Sequence, residues 1–184
     1  HRHTENAYYT GKVKDWTIAV HMDGMWYRNY EKDWNNSTYQ QVNQEEQTLL
    51  VTSTVHNTHH LYATKLVLTH PLAGGTLSFG GEYSHSKRTN LFVNPQGIVA
   101  DDDSYSKEGI ASAFVEYGRQ IGKASLQAGV RYEHVAFDYY IKNIHRKDMS
   151  RTTDDLFPSL GLSFPIGKVQ MQLGYAKDIL RPSF

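Results

Sequence analysis

Cysteine is absent from all 184 residues, which excludes disulfides, thiolate metal sites and cysteine nucleophiles together. Long apolar runs are missing as well. The longest, such as Leu66-Val67-Leu68, end after three residues, whereas a helix that crosses a membrane needs about 20 in succession. A strand-built membrane protein has no such need, because only every second side chain meets lipid. An excess of one charge is also missing. Lysine plus arginine (19) equals aspartate plus glutamate (19), so the chain lacks the one-signed field of a nucleic-acid binder. His1-Arg2-His3 is not followed by the apolar stretch of a signal peptide, as expected of a processed chain or of a piece of a longer one.

Aromatic residues and alternation are plentiful. The 13 tyrosines and 3 tryptophans are amphipathic side chains suited to a membrane interface. Apolar and polar residues alternate with period two in four clear segments. Ala124, Leu126, Ala128, Val130, Tyr132 and Ala136 alternate with Ser125, Gln127, Gly129, Arg131 and Glu133; the others run Val169–Tyr175, Leu160–Phe164 and Trp16–Trp26. Weaker alternation covers Tyr62–Leu68, Leu77–Tyr83 and Ala111–Tyr117, with a partial eighth strand near Tyr8-Tyr9.

The connections alternate too. Pro71–Gly75, Gln120–Lys123 and Pro165–Lys168 read as short glycine-bearing hairpin turns, with Gly11–Asp15 a fourth. Between them lie long polar stretches, Asn29–Thr58, Lys87–Lys107 and Asp138–Asp155, expected to be loops or strand extensions standing in water. Short turns on one rim and long loops on the other describe an outer-membrane barrel, with the short turns periplasmic. The expected fold is therefore all-β, an antiparallel up-and-down meander forming a segment of a transmembrane β-barrel of about 7 or 8 strands. With this orientation the first strand descends and the last stops as an outer loop begins, so residues 1–184 read as one partial barrel domain.

Leu156-Phe157-Pro158-Ser159-Leu160-Gly161-Leu162-Ser163-Phe164, a short turn with Gly167-Lys168, and then Leu173-Gly174-Tyr175 through Arg181-Pro182-Ser183-Phe184 resemble the barrel of TonB-dependent outer-membrane receptors. In that family a strand of the FPSLSLSY kind precedes a segment ending in R-P-(S/D)-(F/Y). Thr69-His70-Pro71-Leu72 and Gly129-Val130-Arg131-Tyr132-Glu133 are similar to turn and strand motifs of the same barrels, and the resemblance extends over about Thr58–Phe184. It implies a 22-stranded barrel closed around a plug domain, importing a scarce nutrient such as a siderophore or glycan. It further implies an energising TonB-type protein and outer-membrane lipid as partners, with a surface lipoprotein left open, and no enzymatic activity or cofactor. The plug, the coupling segment and most strands have no counterpart in these 184 residues. An isolated open sheet would expose two unpaired edges, so the piece alone is expected to self-associate. Two other readings remain at this point: a complete eight-stranded outer-membrane protein with a structural or adhesive role, and a soluble sugar-binding β-sandwich.

Candidate site residues follow from position. Lys65, Glu82, Glu116, Arg131 and Glu133 sit on the polar side of their strands and are expected to face a lumen, most simply as a salt-bridged wall. Trp26, Tyr27, Tyr30 and Trp34 on one strand, and Tyr132, Phe137, Tyr139 and Tyr140 on another, fall where strands would leave the membrane, and an aromatic girdle accounts for most of them. Among the loop aromatics, Trp34, Tyr39, Tyr139 and Tyr140 are candidates to stack on a ligand. His56, His59 and His60 have a spacing that suits a helix better than a strand, so a solvated extension is favoured over a metal site. Asp101-Asp102-Asp103 lacks the spaced ligand pattern of a calcium loop and reads as a solvated acidic stretch. His21 and Asp23 share a strand face, but nothing places a serine beside them for hydrolysis, and lumen-lining residues are the simpler reading.

Overall fold

Side chains that alternate every second position can bury or expose one whole face only if the backbone is extended, and the chain is extended almost throughout. A computed structural model describes residues 1–39 and 47–177. Among these, nine strands form one antiparallel sheet: β1 (Arg2–Val13), β2 (Trp16–Tyr39), β3 (Gln47–Leu72), β4 (Gly75–Val93), β5 (Asp102–Ile121), β6 (Ala124–Ile141), β7 (Ile144–His145), β8 (Arg151–Ile166) and β9 (Val169–Ala176). Sequential neighbours pair in an up-and-down meander, with the two-residue β7 folded back on β6. The sheet is open, with β1 and β9 at its two edges.

The short turns fall where glycine and turn chemistry place them. Ala73 and Gly74 both have positive φ (49° and 74°), the backbone of a two-residue hairpin whose twist matches its strands. Gly122 and Gly167 take the left-handed position in the next two turns on this rim. The opposite rim carries the longer connections, residues 94–101 and 142–150. Asn94, 3% exposed, organises the first: its amide donates to the Thr52 carbonyl at 2.8 Å, and its side-chain oxygen accepts from the Ile98 backbone N–H at 2.8 Å. The acidic run belongs to this scaffold. Asp101 accepts the Asn94 backbone N–H at 2.7 Å, and Asp102 accepts from Asn90 at 2.5 Å.

The polar stretches are strand far more than loop. β2 continues to Tyr39, β3 begins at Gln47, and β4 and β5 reach to Val93 and Asp102. The partial strand at Tyr8-Tyr9 is the middle of a full β1 paired to β2 over twelve residues. Backbone pairing continues past the point where alternation ends, because a ladder needs only matched N–H and C=O groups.

Register aligns the faces across the sheet. One row runs Tyr9, Val20, Leu66, Gly81, Ala113, Tyr132 and Leu156; the next runs Gly11, Ile18, Leu68, Phe79, Val115, Val130 and Pro158. This apolar face is bounded by aromatics. Trp16 stacks on His70 at 4.5 Å and meets Phe79 edge-on at one border. At the other, Trp26 packs edge-on against Tyr62, its indole N–H donating to the Tyr62 hydroxyl at 2.9 Å. From Trp16 to Trp26 is ten residues, about 33 Å along a strand at ~3.3 Å per residue, or about 25 Å of height once tilted by ~40°.

Burial is inverted relative to a soluble domain. The buried residues are chiefly polar, including Glu133 at 7%, Ser112 at 8% and Ser104 at 3%, with Val135 the buried hydrophobic among the described residues. Leu66, Leu156, Leu160, Leu173, Tyr83 and Val115 are all exposed. A soluble sandwich would bury that band against a second layer, and the described residues form a single sheet.

Candidate functional site

The second face of the sheet is polar, and the five charged residues singled out from the sequence all lie on it. The row Tyr8, His21, Lys65, Glu82, Ser112, Glu133 and Asp155 crosses the sheet in register, and Arg131 and Glu116 stand on the same side of β6 and β5. Four of the five are joined. Lys65 approaches Glu82 at 4.0 Å, Glu82 approaches Arg131 at 3.7 Å, and Arg131 binds Glu133 at 3.1 Å. Glu116 stands apart and accepts from Gln127 at 2.7 Å. The exposed pairs contribute little, about 0–1 kcal/mol each. The Arg131–Glu133 contact matters more, because the Glu133 side chain is only 9% exposed and a charge so far from water depends on the groups around it.

One contact fixes how closely the strands approach beneath this ladder. A side chain at Gly80 would put its Cβ 2.0 Å from the Leu66 carbonyl oxygen, so β3 and β4 lie together there only because position 80 has none.

Toward the long-loop rim the polar face deepens into a recess of about 500 Å³, lined by Tyr27, Asn57, His59, Arg88, Asn90 and Tyr139 among others. Among the described residues the buried Oδ1 of Asn57 has no hydrogen-bond partner, and leaving such an acceptor unmet costs about 1–3 kcal/mol. His59 shares a hydrogen bond with the Ser86 hydroxyl at 2.9 Å. Burial, then the positive charge of Arg88 and His60, hold the His59 pKa below the usual histidine value, favouring the neutral ring. The recess therefore offers amide, imidazole, guanidinium and phenol groups to a polar ligand. Sequence reading did not gather these residues, and only their strand parity with Lys65 and Glu82 could have done so.

The four aromatic candidates do not form one site. Tyr139 lines the recess, whereas the adjacent Tyr140 points to the apolar side and stacks on Tyr105 at 4.5 Å and 8°. Consecutive strand residues face opposite ways, which separates them. Trp34 is 76% exposed on the same side as Tyr140, and the side chain of Tyr39 lies outside the described residues, as does the segment from Asp178 to Phe184. His56 and His59 fall on opposite faces, and His56 packs edge-on against Tyr30. His21 and Asp23 do share the polar face, where His21 has Tyr8 and Lys65 as cross-strand neighbours and Asp23 accepts from the Asn6 amide.

The model of the outer membrane protein beta-barrel family matches residues 11–184. The chain belongs to this family. Its strands therefore cross the outer membrane, and the apolar face between Trp16 and Trp26 is the surface that meets lipid. Search of curated proteins gives no match. Among solved structures, the sheet is similar to the ferric citrate transporter FecA, at 10% identity and a TM-score of 0.65 over 91% of this chain. It is also similar to the copper transporter OprC (8%, 0.69, 95%) and to the siderophore receptor PiuA from Acinetobacter baumannii (12%, 0.63, 95%). The chain spans 25%, 29% and 32% of those three proteins, and at these identities the likeness is one of fold.

Proposed function

We propose that this outer-membrane barrel segment walls the import channel of a TonB-dependent receptor that takes up a scarce nutrient, a siderophore, a glycan or a similar solute. The open sheet carries this reading. Eight long strands pair in sequence, yet β1 and β9 remain at separate edges instead of closing on each other as a complete eight-stranded barrel requires. An arc of this kind fits a wider barrel. The polar face then lines the lumen, with Lys65, Glu82, Glu116, Arg131 and Glu133 apposed to a plug domain, and the recess with Tyr139 and Asn57 lies on the substrate's path from outside. Its role is to bind and conduct, with no covalent chemistry, and energy arrives through an inner-membrane partner of the TonB type.

The test uses cells that lack the full-length protein, supplied with ferric chelates or oligosaccharides as sole iron or carbon source. The reading expects growth to fail on one of these, and uptake of that solute by wild-type cells to stop when the proton gradient is dissipated. Unchanged growth on all of them, or uptake that ignores the gradient, contradicts it.

A further inference from the structure

On the lipid side of the sheet, at the height of Trp26, stands a row with a charge problem. Trp26, His60, Lys87, Lys107 and Asp138 follow one another in register across β2 to β6. Lys87 and Lys107 are direct cross-strand partners, and like charges in that position repel. Among the described residues neither lysine forms an ion pair. Asp138, the other cross-strand neighbour of Lys107, has its carboxylate on His145 Nε2 at 3.0 Å. What the two ammonium groups share is one ring: Lys87 lies 5.2 Å and Lys107 5.7 Å from the centre of Tyr105, and Lys107 also lies 5.4 Å from Tyr140. An aromatic face attracts a cation but brings no counter-charge. The tyrosines thus hold two cations side by side, one row above the Tyr62 hydroxyl that marks the edge of the apolar band.

We propose that Lys87 and Lys107, with Tyr105 and Tyr140 one row farther out and His60 beside them, bind the phosphate of an anionic lipid headgroup in the outer leaflet. Position and charge favour a lipid over a free ion. The pair sits on the face that meets acyl chains, on the long-loop rim, where a lipid anchored below brings its headgroup to this height, and clustered cations there are complementary to phosphate. The inference rests on the outer-membrane placement of the chain and is independent of what the parent protein imports.

The experiment titrates the purified full-length protein, in neutral detergent, with micelles doped with phosphatidic acid, using phosphatidylcholine as the lipid of no net charge. Each cation near an anionic surface contributes a factor of about five, so K87Q/K107Q is expected to bind phosphatidic acid about 30-fold more weakly than wild type. K87R/K107R, which keeps the charges, is expected to bind like wild type, as is K123Q on the opposite rim. Unchanged affinity in K87Q/K107Q overturns the proposal, as does an equal loss in K87R/K107R, which marks a packing effect. Displacement of the lipid by millimolar inorganic phosphate assigns the pair to a free ion and also overturns it.

Discussion

The two faces of this sheet obey opposite rules. On one, Leu66, Leu160 and Leu173 stand 41%, 51% and 58% exposed; on the other, Glu133 and Ser112 are buried to 7% and 8%. The strands and backbone bonds are the same for both, so the difference lies in the solvent each face is built for. Lipid rewards exposed hydrocarbon and forbids unpaired polar groups, while a lumen tolerates charge that is paired. Stability on the first face comes from transfer into lipid, while on the second the buried Glu133 carboxylate is held by Arg131 at 3.1 Å.

One charge placed on each face separates the two solvents. Leu66→Arg at mid-height of the apolar band is expected to cost the full-length protein about 2–4 kcal/mol in vesicles, measured by urea unfolding. Gln127→Arg on the polar face is expected to cost a small fraction of that. Equal costs would show that both faces see the same medium.

Removing a charge from the polar face is expected to cost nearly as much. Arg131→Gln removes the cation 3.1 Å from the buried Glu133 carboxylate and should destabilise by about 2 kcal/mol. Glu133→Gln in the same chain should recover much of that loss, and a double-mutant cycle without coupling would remove Arg131–Glu133 from the account. Gly80→Ala is a steric control. The added methyl meets the Leu66 carbonyl oxygen, so β3 and β4 must part, and a loss of about 1–3 kcal/mol is expected whichever solvent the face meets.

The smallest expected effect is that of pH at His59. Its folded pKa lies below the ordinary 6.5, so the unfolded chain binds the proton first. The stability contributed by the neutral ring is complete above about 6.5 and declines as pH falls through the unfolded value toward the folded one. Between pH 7 and 5 the wild-type unfolding midpoint should therefore fall more than that of His59→Gln. Parallel curves would show that His59 does not contribute.

How much of this was legible in the sequence follows from where alternation survives. Between Trp16 and Trp26, and between Ala124 and Ala136, one face meets lipid and the other does not, so the pattern announces strand, face and height at once. Above the girdle both faces of residues 29–36 meet water, polar residues occur on both, and the continuing ladder leaves no mark in the sequence. The alternation of turn lengths was readable because Gly74, Gly122 and Gly167 supply positive φ where the chain reverses. Lys65, Glu82, Arg131 and Glu133 were recognisable as polar-face residues, but which carboxylate meets which cation depends on register, which no single strand carries. The same dependence hid the recess around Asn57, His59 and Arg88, and split Tyr139 from Tyr140.

Adjacent residues of β3 see lipid and water in turn. Single spin labels placed through cysteine at positions 61 to 68 of the full-length protein, with any cysteine outside this segment replaced, read this alternation. Relaxation of each label by oxygen, which partitions into lipid, is then compared with relaxation by a water-soluble nickel chelate. A period of two is expected, with labels at Tyr62, Thr64, Leu66 and Leu68 relaxed by oxygen and labels at Leu61, Ala63, Lys65 and Val67 shielded from it. Accessibility that is uniform along the strand, or that places Lys65 in lipid and Leu66 in water, would contradict it.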